Sequence, residues 1–437
     1  ADRVLAFIED NGLKNQVHLE ATNKRYYPSG NMAAQTVGFT GADGQGLYGL
    51  EYYYNEELTG IAGRYIIAQD ARGNEMAYNY ESYVEPINGY HMVSTIDPQI
   101  QHELDVQVEA ALHNSVAQNR VCGIAMNPKT GEILGISVKP DFDLNSPYVL
   151  DELSALLLDD CGFEEDSEEY NKFLAELRQV MWSNKAITEL YEPGSTFKII
   201  TLTAALETLP GVDEEMFNCA GVWNYGDHSL KCAGNAVHGN LTLSQAFTRS
   251  CNITFGSLAY RLGAKTLKDT AERFGFNFNF AFNDLMLYES WCLRKSAGAG
   301  DLIQAGFGQG TTQVTPLHMA MIAGAIANGG AMMEPKLISK VYSPAGAVVK
   351  TLEPAVFRQC TDAETAETVA RYMYQTVKNG TASRAAISGY TDGYVCGKTG
   401  SAEWSNNKDD ATHAWYAGFL YGDDAHPYAI AVVVEKG

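Results

Sequence analysis

Tyr191-Glu192-Pro193-Gly194-Ser195-Thr196-Phe197-Lys198 is the stretch on which the reading of this chain turns. The Pro-Gly pair ahead of a run of apolar residues predicts a helix start, with the helix continuing through Leu206. Ser195 and Lys198 then share one face of the first turn. A serine hydroxyl attacks well only when a base takes its proton. A lysine is such a base only where burial or nearby positive charge lowers its pKa. The helix N-terminus adds partial positive charge and unpaired N–H groups that favour a developing oxyanion. Taken alone, the pair is also what an ordinary helix start contains.

Two further segments change that balance. Ser250-Cys251-Asn252 offers a hydroxyl and an amide at alternate positions, able to face one cleft. Lys398-Thr399-Gly400, followed by Ser401, sits in an apolar strand. A cation beside a hydroxyl and a glycine suits a strand edge that binds a carboxylate and lets a peptide backbone approach closely. Ser-x-x-Lys, Ser-x-Asn and Lys-Thr-Gly in that order, each in the secondary structure it needs, make coincidence a poor account.

The rest of the chain sets limits. At 437 residues, 46% apolar and 19% charged, it has material for two domains and a large core. Its net charge of −22 repels phosphate backbones and argues against a nucleic-acid partner. The longest apolar runs, such as Ile430–Val434, fall far short of the roughly 18 residues of a membrane helix. The first ninety or so residues are punctuated by glycine and proline and read as short strands and turns. Thr95 or Asp97 can cap a helix with Pro98 in its first turn, and Ile100, Leu104, Val108 and Leu112 recur along it. A hairpin follows, from strands Val121–Met126 and Glu132–Val138 around Asn127-Pro128-Lys129-Thr130-Gly131. An acidic helical stretch, 151–183, reads as a surface insertion. A helix runs from Thr315-Pro316 to Asn328-Gly329-Gly330, and strands Gly393–Ala402, Ala414–Leu420 and Tyr428–Glu435 close the chain. The pattern predicts an α+β fold: an antiparallel sheet flanked by helices and closed by segments distant in sequence, with a smaller β-rich N-terminal domain. The boundary is placed near residue 92, giving 1–92 and 93–437.

The chain resembles the class B penicillin-binding proteins of the Gram-positive type, monofunctional peptidoglycan DD-transpeptidases, over nearly its whole length. The resemblance rests on Tyr191–Lys198 and on Gly397-Lys398-Thr399-Gly400-Ser401-Ala402-Glu403. Thr95-Ile96-Asp97, Lys129–Leu134, Gly308-Gln309-Gly310 and Ala327-Asn328-Gly329-Gly330 add to it. Arg25-Tyr26-Tyr27-Pro28 and Gly46–Glu51 resemble the pedestal (dimerisation-like) region, which small β-lactamases lack. Family members usually continue past the last strand into a C-terminal helix. Here either that helix is missing from the sequence or something else covers the sheet.

The resemblance implies the penicillin-binding transpeptidase fold and a set of roles. Ser195 would be acylated by the penultimate D-Ala of a peptidoglycan stem, with Lys198 as base. Ser250 would relay a proton and Asn252 would hold a substrate amide. Lys398 and Thr399 would bind the terminal carboxylate, with Gly400 admitting the backbone and the N–H groups of Ser195 and Ser401 holding the oxyanion. It implies no cofactor for catalysis. It also implies lipid II-derived glycan and β-lactams as ligands, a SEDS-type membrane glycosyltransferase as partner, and an extracytoplasmic location behind an N-terminal membrane anchor outside this chain. A DD-carboxypeptidase, a β-lactamase or a β-lactam sensor would use the same acyl-enzyme. Eight cysteines are too few for a disulfide scaffold, yet Cys219, Cys232, His238 and Cys251 cluster with spacing Cys-x12-Cys-x5-His-x12-Cys. Three thiolates and an imidazole suit a structural tetrahedral zinc. A Cys219–Cys232 disulfide, or four unrelated core residues, are the alternatives. Cys251 lies between Ser250 and Asn252, so it would point behind the cleft those two face, and some class B proteins carry a metal at similar positions.

Overall fold

The computed structural model describes residues 2–436 apart from 14–15, 18, 20–23, 67–81, 115–118, 226–227, 283–284, 295–296 and 403–411. Glu403, quoted above with the third motif, therefore lies outside the described residues.

A five-stranded antiparallel sheet organises the larger part of the chain. Its order across the sheet is Tyr394–Ala402, His413–Tyr421, Ala429–Val434, Val121–Met126 and Ile133–Lys139. The early hairpin is thus joined to the Lys398 strand only through the last two strands of the chain, with Val121 opposite Val434. One row runs Lys398, Ala417, Ala431 and Ile124 across four strands. The two alanines leave room on that face for the helix Pro316–Ala327, whose first eleven residues are all buried. A helix apolar all round has to lie inside a core. Thr315 caps it, accepting from the His318 N–H, with Pro316 in the first turn.

The other face is covered by two devices. Helix Pro98–Asn114 lies over Gly123 and Gly135, where an added Cβ would meet Leu104 and Val108. Asp97 caps it, its Oδ1 accepting from the N–H groups of Gln99 and Ile100 at 2.8 and 3.1 Å. Gln101, polar yet fully buried on this helix, both donates to and accepts from the Ile136 backbone at 2.9 Å. Further along the sheet, the Tyr416 ring lies across Gly397 and Gly418, filling the space their missing side chains leave.

Before residue 92 the structure is more helical than the glycine punctuation suggests. Two short strands, Arg64–Ile66 and Ser82–Val84, pair there, and Ala34–Val37, Gly49–Tyr53 and Asn55–Thr59 are short helices. Phe39 stacks on Tyr48 and packs against Trp182 and Phe142, so this region buries its core on the segment 142–182. His91–Ser94 adds to a three-stranded sheet with Ile338–Tyr342 and Val348–Thr351. Among the described residues no helix is long and apolar enough to cross a membrane.

Candidate active site

Gly194–Phe197 forms a 3₁₀ turn that feeds the buried helix Lys198–Thr208. The turn is pinned on several sides. Gly194 N–H donates to the Gly308 carbonyl at 2.9 Å, the Thr196 hydroxyl to the Pro193 carbonyl at 2.7 Å, and the Trp415 indole to the Glu192 carbonyl at 3.0 Å. The Tyr191 hydroxyl donates to the buried Glu435 carboxylate at 2.5 Å, fixing the approach to the turn. Gly194 has φ +54°, and a Cβ there would sit 2.4 Å from the Ser401 carbonyl oxygen. The Ser195 turn therefore abuts the backbone of the third motif. Ser195 is half-buried on this turn, and Lys198, one helical turn on, is fully buried.

The second motif lies between two helices. Leu243–Thr248 starts with a capping box, Thr242 with Gln245, and the chain then turns through Ser250 into helix Asn252–Arg273. Ser250 adopts φ +56°, a conformation that costs a non-glycine residue about 1 kcal/mol. The turn sends its carbonyl toward the Lys198 ammonium, which donates to Ser250 O at 2.8 Å, Ser250 Oγ at 3.1 Å and Asn252 Oδ1 at 2.7 Å.

Lys398, on the edge strand, reaches the same hydroxyl. Its Nζ donates to Ser250 Oγ at 3.1 Å and to the Thr399 carbonyl at 2.8 Å. Two amines converge on one oxygen in a site where neither has access to water. Burial pushes the Lys198 pKa down to about 7, against a smaller upward pull from Cys251 and Cys232. Burial and then the Lys198 charge hold Lys398 well below its ordinary value. The aromatic faces of Phe255 and Phe247 lie 5.5 and 5.7 Å from the two ammonium nitrogens. A lysine with a pKa near 7 is neutral, and so a base, above that pH. Acylation by penicillin is expected to be level above about pH 7 and to fall about tenfold per unit below it, as Lys198 gains a proton. A rate profile between pH 5 and 9 that stays flat would remove Lys198 from the role of base.

Gly400 packs against the Ser195 turn, where an added Cβ would lie 2.7 Å from the Pro193 carbonyl. Ser401 is exposed beside it, and Thr399 Oγ1 donates to Thr381 Oγ1 at 2.8 Å. The structure thus gathers Ser195, Lys198, Ser250, Asn252, Lys398, Thr399, Gly400 and Ser401 around one cleft. Gly308, Phe247, Phe255 and Thr381 belong to the same cleft and escaped the sequence reading. Of these only Gly308 lay in a segment already quoted, and its close approach to Gly194 was invisible there.

Behind the cleft, Cys219, Cys232, His238 and Cys251 place one ligand atom each within 4.8 Å of one another. The three cysteines are buried and His238 is half-buried. Cys219 Sγ lies 3.7 Å from Cys232 Sγ and 3.4 Å from His238 Nδ1, and Cys232 Sγ lies 3.7 Å from Cys251 Sγ. The strand pairing of Cys219 with Gly239 brings His238 alongside. These thiols are free, and 3.7 Å is far beyond the roughly 2.05 Å of a disulfide bond.

Comparison with known proteins agrees with this geometry. The profile of the penicillin binding protein transpeptidase domain matches residues 121–437, and that of the penicillin-binding protein dimerisation domain matches residues 3–94. Stage V sporulation protein D of Bacillus subtilis is 33% identical over 395 residues, covering 89% of this chain and 56% of that protein. Penicillin-binding protein PbpB of Mycolicibacterium smegmatis is 28% identical over 442 residues, covering 96% and 62%. The chain therefore spans little more than half the length of these relatives. The structure of penicillin-binding protein A from M. tuberculosis, as a penicillin G acyl-enzyme complex, superposes with a TM-score of 0.74 at 26% identity, covering 96% of this chain and 90% of that one. A dimerisation domain followed by a transpeptidase domain is the class B arrangement, and the chain belongs to the class B penicillin-binding proteins.

Proposed function

We propose that this chain is a serine DD-transpeptidase that cross-links peptidoglycan stem peptides and is inactivated by β-lactams. The observation that carries this reading is the convergence of Lys198 and Lys398 on the Ser250 hydroxyl beside the Ser195 turn. Neutral Lys198 takes the Ser195 proton as Oγ attacks the carbonyl carbon of the penultimate D-Ala. The N–H groups of Ser195 and Ser401 hold the resulting oxyanion. As the C–N bond breaks, Ser250 passes a proton from the lysine cluster to the departing D-Ala amine, leaving the acyl-enzyme. Asn252, held through Oδ1 by Lys198, presents its amide to the substrate backbone. Lys398 and Thr399 bind the terminal carboxylate. An amine of a second stem then attacks the ester and releases Ser195. The similar M. tuberculosis protein solved with penicillin G as an acyl-enzyme supports the covalent step.

Residues 1–92 form a pedestal in this reading and 93–437 the catalytic domain. The chain works on the extracytoplasmic face of the membrane behind an anchor, with a SEDS-type glycosyltransferase supplying glycan. The test is an assay on lipid II with such a polymerase present. Cross-linked stem dimers are the expected product. Free D-Ala without cross-links would make the enzyme a carboxypeptidase, and a stable penicillin adduct with no turnover would make it a sensor.

The cysteine cluster fits a zinc ion. Tetrahedral coordination with Zn–S of about 2.3 Å and Zn–N of about 2.05 Å places sulfurs about 3.8 Å apart and sulfur and nitrogen about 3.6 Å apart. The 3.7, 3.7 and 3.4 Å separations correspond. Four protein ligands would leave no open position, so a bound ion would supply bracing and no catalysis. Cys251, as one of its ligands, would hold Ser250 and Asn252 on either side. Chelation should lower the melting temperature and the acylation rate together. Metal analysis of protein purified without chelator should return about one zinc per chain; less than about 0.2, or a mass two hydrogens light, would end the assignment.

A further inference from the structure

We propose that Thr381 is a positioning residue for the reaction, setting the Thr399 hydroxyl for the terminal carboxylate of the substrate. The inference rests on the carboxylate-binding role given above to Lys398 and Thr399. Thr381 lies in the loop that leaves helix Ala363–Asn379, and its hydroxyl is the partner of Thr399 Oγ1 at 2.8 Å.

That loop is docked against the cleft. Gly380 N–H and Ala382 N–H donate to the Thr376 carbonyl at 3.0 and 3.2 Å, and Thr381 N–H donates to the Thr248 carbonyl at 3.3 Å. A Cβ on Gly380 would sit 2.5 Å from that Thr248 oxygen, so glycine permits the approach. Ala382, next in the chain, is buried. Thr381 therefore ties two walls together. Its backbone holds the segment that leads into Ser250, and its hydroxyl holds the strand that carries Lys398.

The proton count gives the pairing its consequence. Each hydroxyl has one proton, and a carboxylate only accepts. Thr399 donates to Thr381 in the structure described here. When a carboxylate arrives, Thr399 turns its proton to it and Thr381 donates in turn to the Thr399 oxygen. Thr381 thus keeps Thr399 in one rotamer and makes it a better donor to the anion, as chains of hydroxyls do. A ligand without the anionic carboxylate draws little from this arrangement.

The experiment measures acylation of the full chain by benzylpenicillin and by its methyl ester, in wild type, Thr381→Val and Thr381→Ser. It resolves the apparent binding constant from the rate at saturation. Thr381→Val should weaken acylation by the acid about tenfold, the scale of one hydrogen bond. The loss should fall in the binding constant, with the saturating rate and the ester each within about twofold of wild type. Thr381→Ser should restore the acid. Equal losses for acid and ester, an acid rate unchanged in Thr381→Val, or no rescue by serine would each overturn the proposal. A wild type that does not prefer the acid would instead overturn the carboxylate reading of Lys398 and Thr399, and the proposal with it. A wild type that prefers the acid, beside a Thr381→Val variant that keeps the full preference, overturns Thr381 alone.

Discussion

Penicillin is expected to add its mass to one peptide of the wild-type chain, the one containing Ser195, and to leave Ser195→Ala unmodified. The competing hydroxyls in the cleft are poorly placed to substitute. Ser250 Oγ already accepts from both lysines at 3.1 Å, and its backbone sits in a left-handed conformation that fixes where it points. Thr399 is engaged with Thr381. Ser401 lies exposed on the strand and is assigned to the oxyanion through its backbone. Only Ser195 combines partial exposure with a helix N-terminus and a buried lysine one turn away. Intact-mass spectrometry followed by peptide mapping decides the matter. An adduct that persists in Ser195→Ala would move the nucleophile elsewhere.

Gly194→Ala should lose about 10²–10³ in acylation efficiency, the cost of removing one oxyanion donor. Two effects combine, and they can be separated. At φ +54° an alanine is strained by about 1 kcal/mol, which lowers stability a little and does nothing to the chemistry. The added Cβ also meets Ser401 O at 2.4 Å and its carbonyl carbon at 2.8 Å, both rigid backbone atoms. The strand has to shift, and the Ser401 N–H moves with it. The expected result is a melting temperature lowered by a few degrees beside a far larger kinetic loss. An efficiency within about threefold of wild type would free Ser401 from the oxyanion role.

The three motifs that meet at the cleft were legible in the sequence because each is a short run in which chemistry and local structure coincide. The Pro-Gly start before Ser195 and the strand around Lys398 are examples. The helix Pro316–Ala327 and the five strands could be read for the same reason, since their caps and apolar runs are local. Other features depend on contact between distant segments and left no local mark. Gly308 matters because it faces Gly194, Thr381 because it faces Thr399, and Gln101 because a polar side chain there satisfies the Ile136 backbone. The left-handed turn at Ser250 was hidden too, since nothing about a serine announces positive φ. Before residue 92, frequent glycines masked short helices that draw their stability from packing against distant segments: Ala34 and Val37 join the cluster of Phe142 and Trp182, and Leu50 and Leu58 pack beside Ile338 and Val341.

The strand order of the central sheet has a kinetic consequence. The hairpin made first has no partner until Ala429–Val434 arrives, and the Lys398 strand reaches that hairpin only through the two strands synthesised after it. Pairings so remote along the chain form late and slowly, because loop closure must precede any gain from contact. A growing or partly folded chain can therefore hold a finished Lys198–Thr208 helix before the strand that carries Lys398 is in place. With Lys398 and Thr399 in the proposed carboxylate-binding role, such a chain is expected to escape acylation by penicillin, and covalent labelling during refolding would report the arrival of Ala429–Val434.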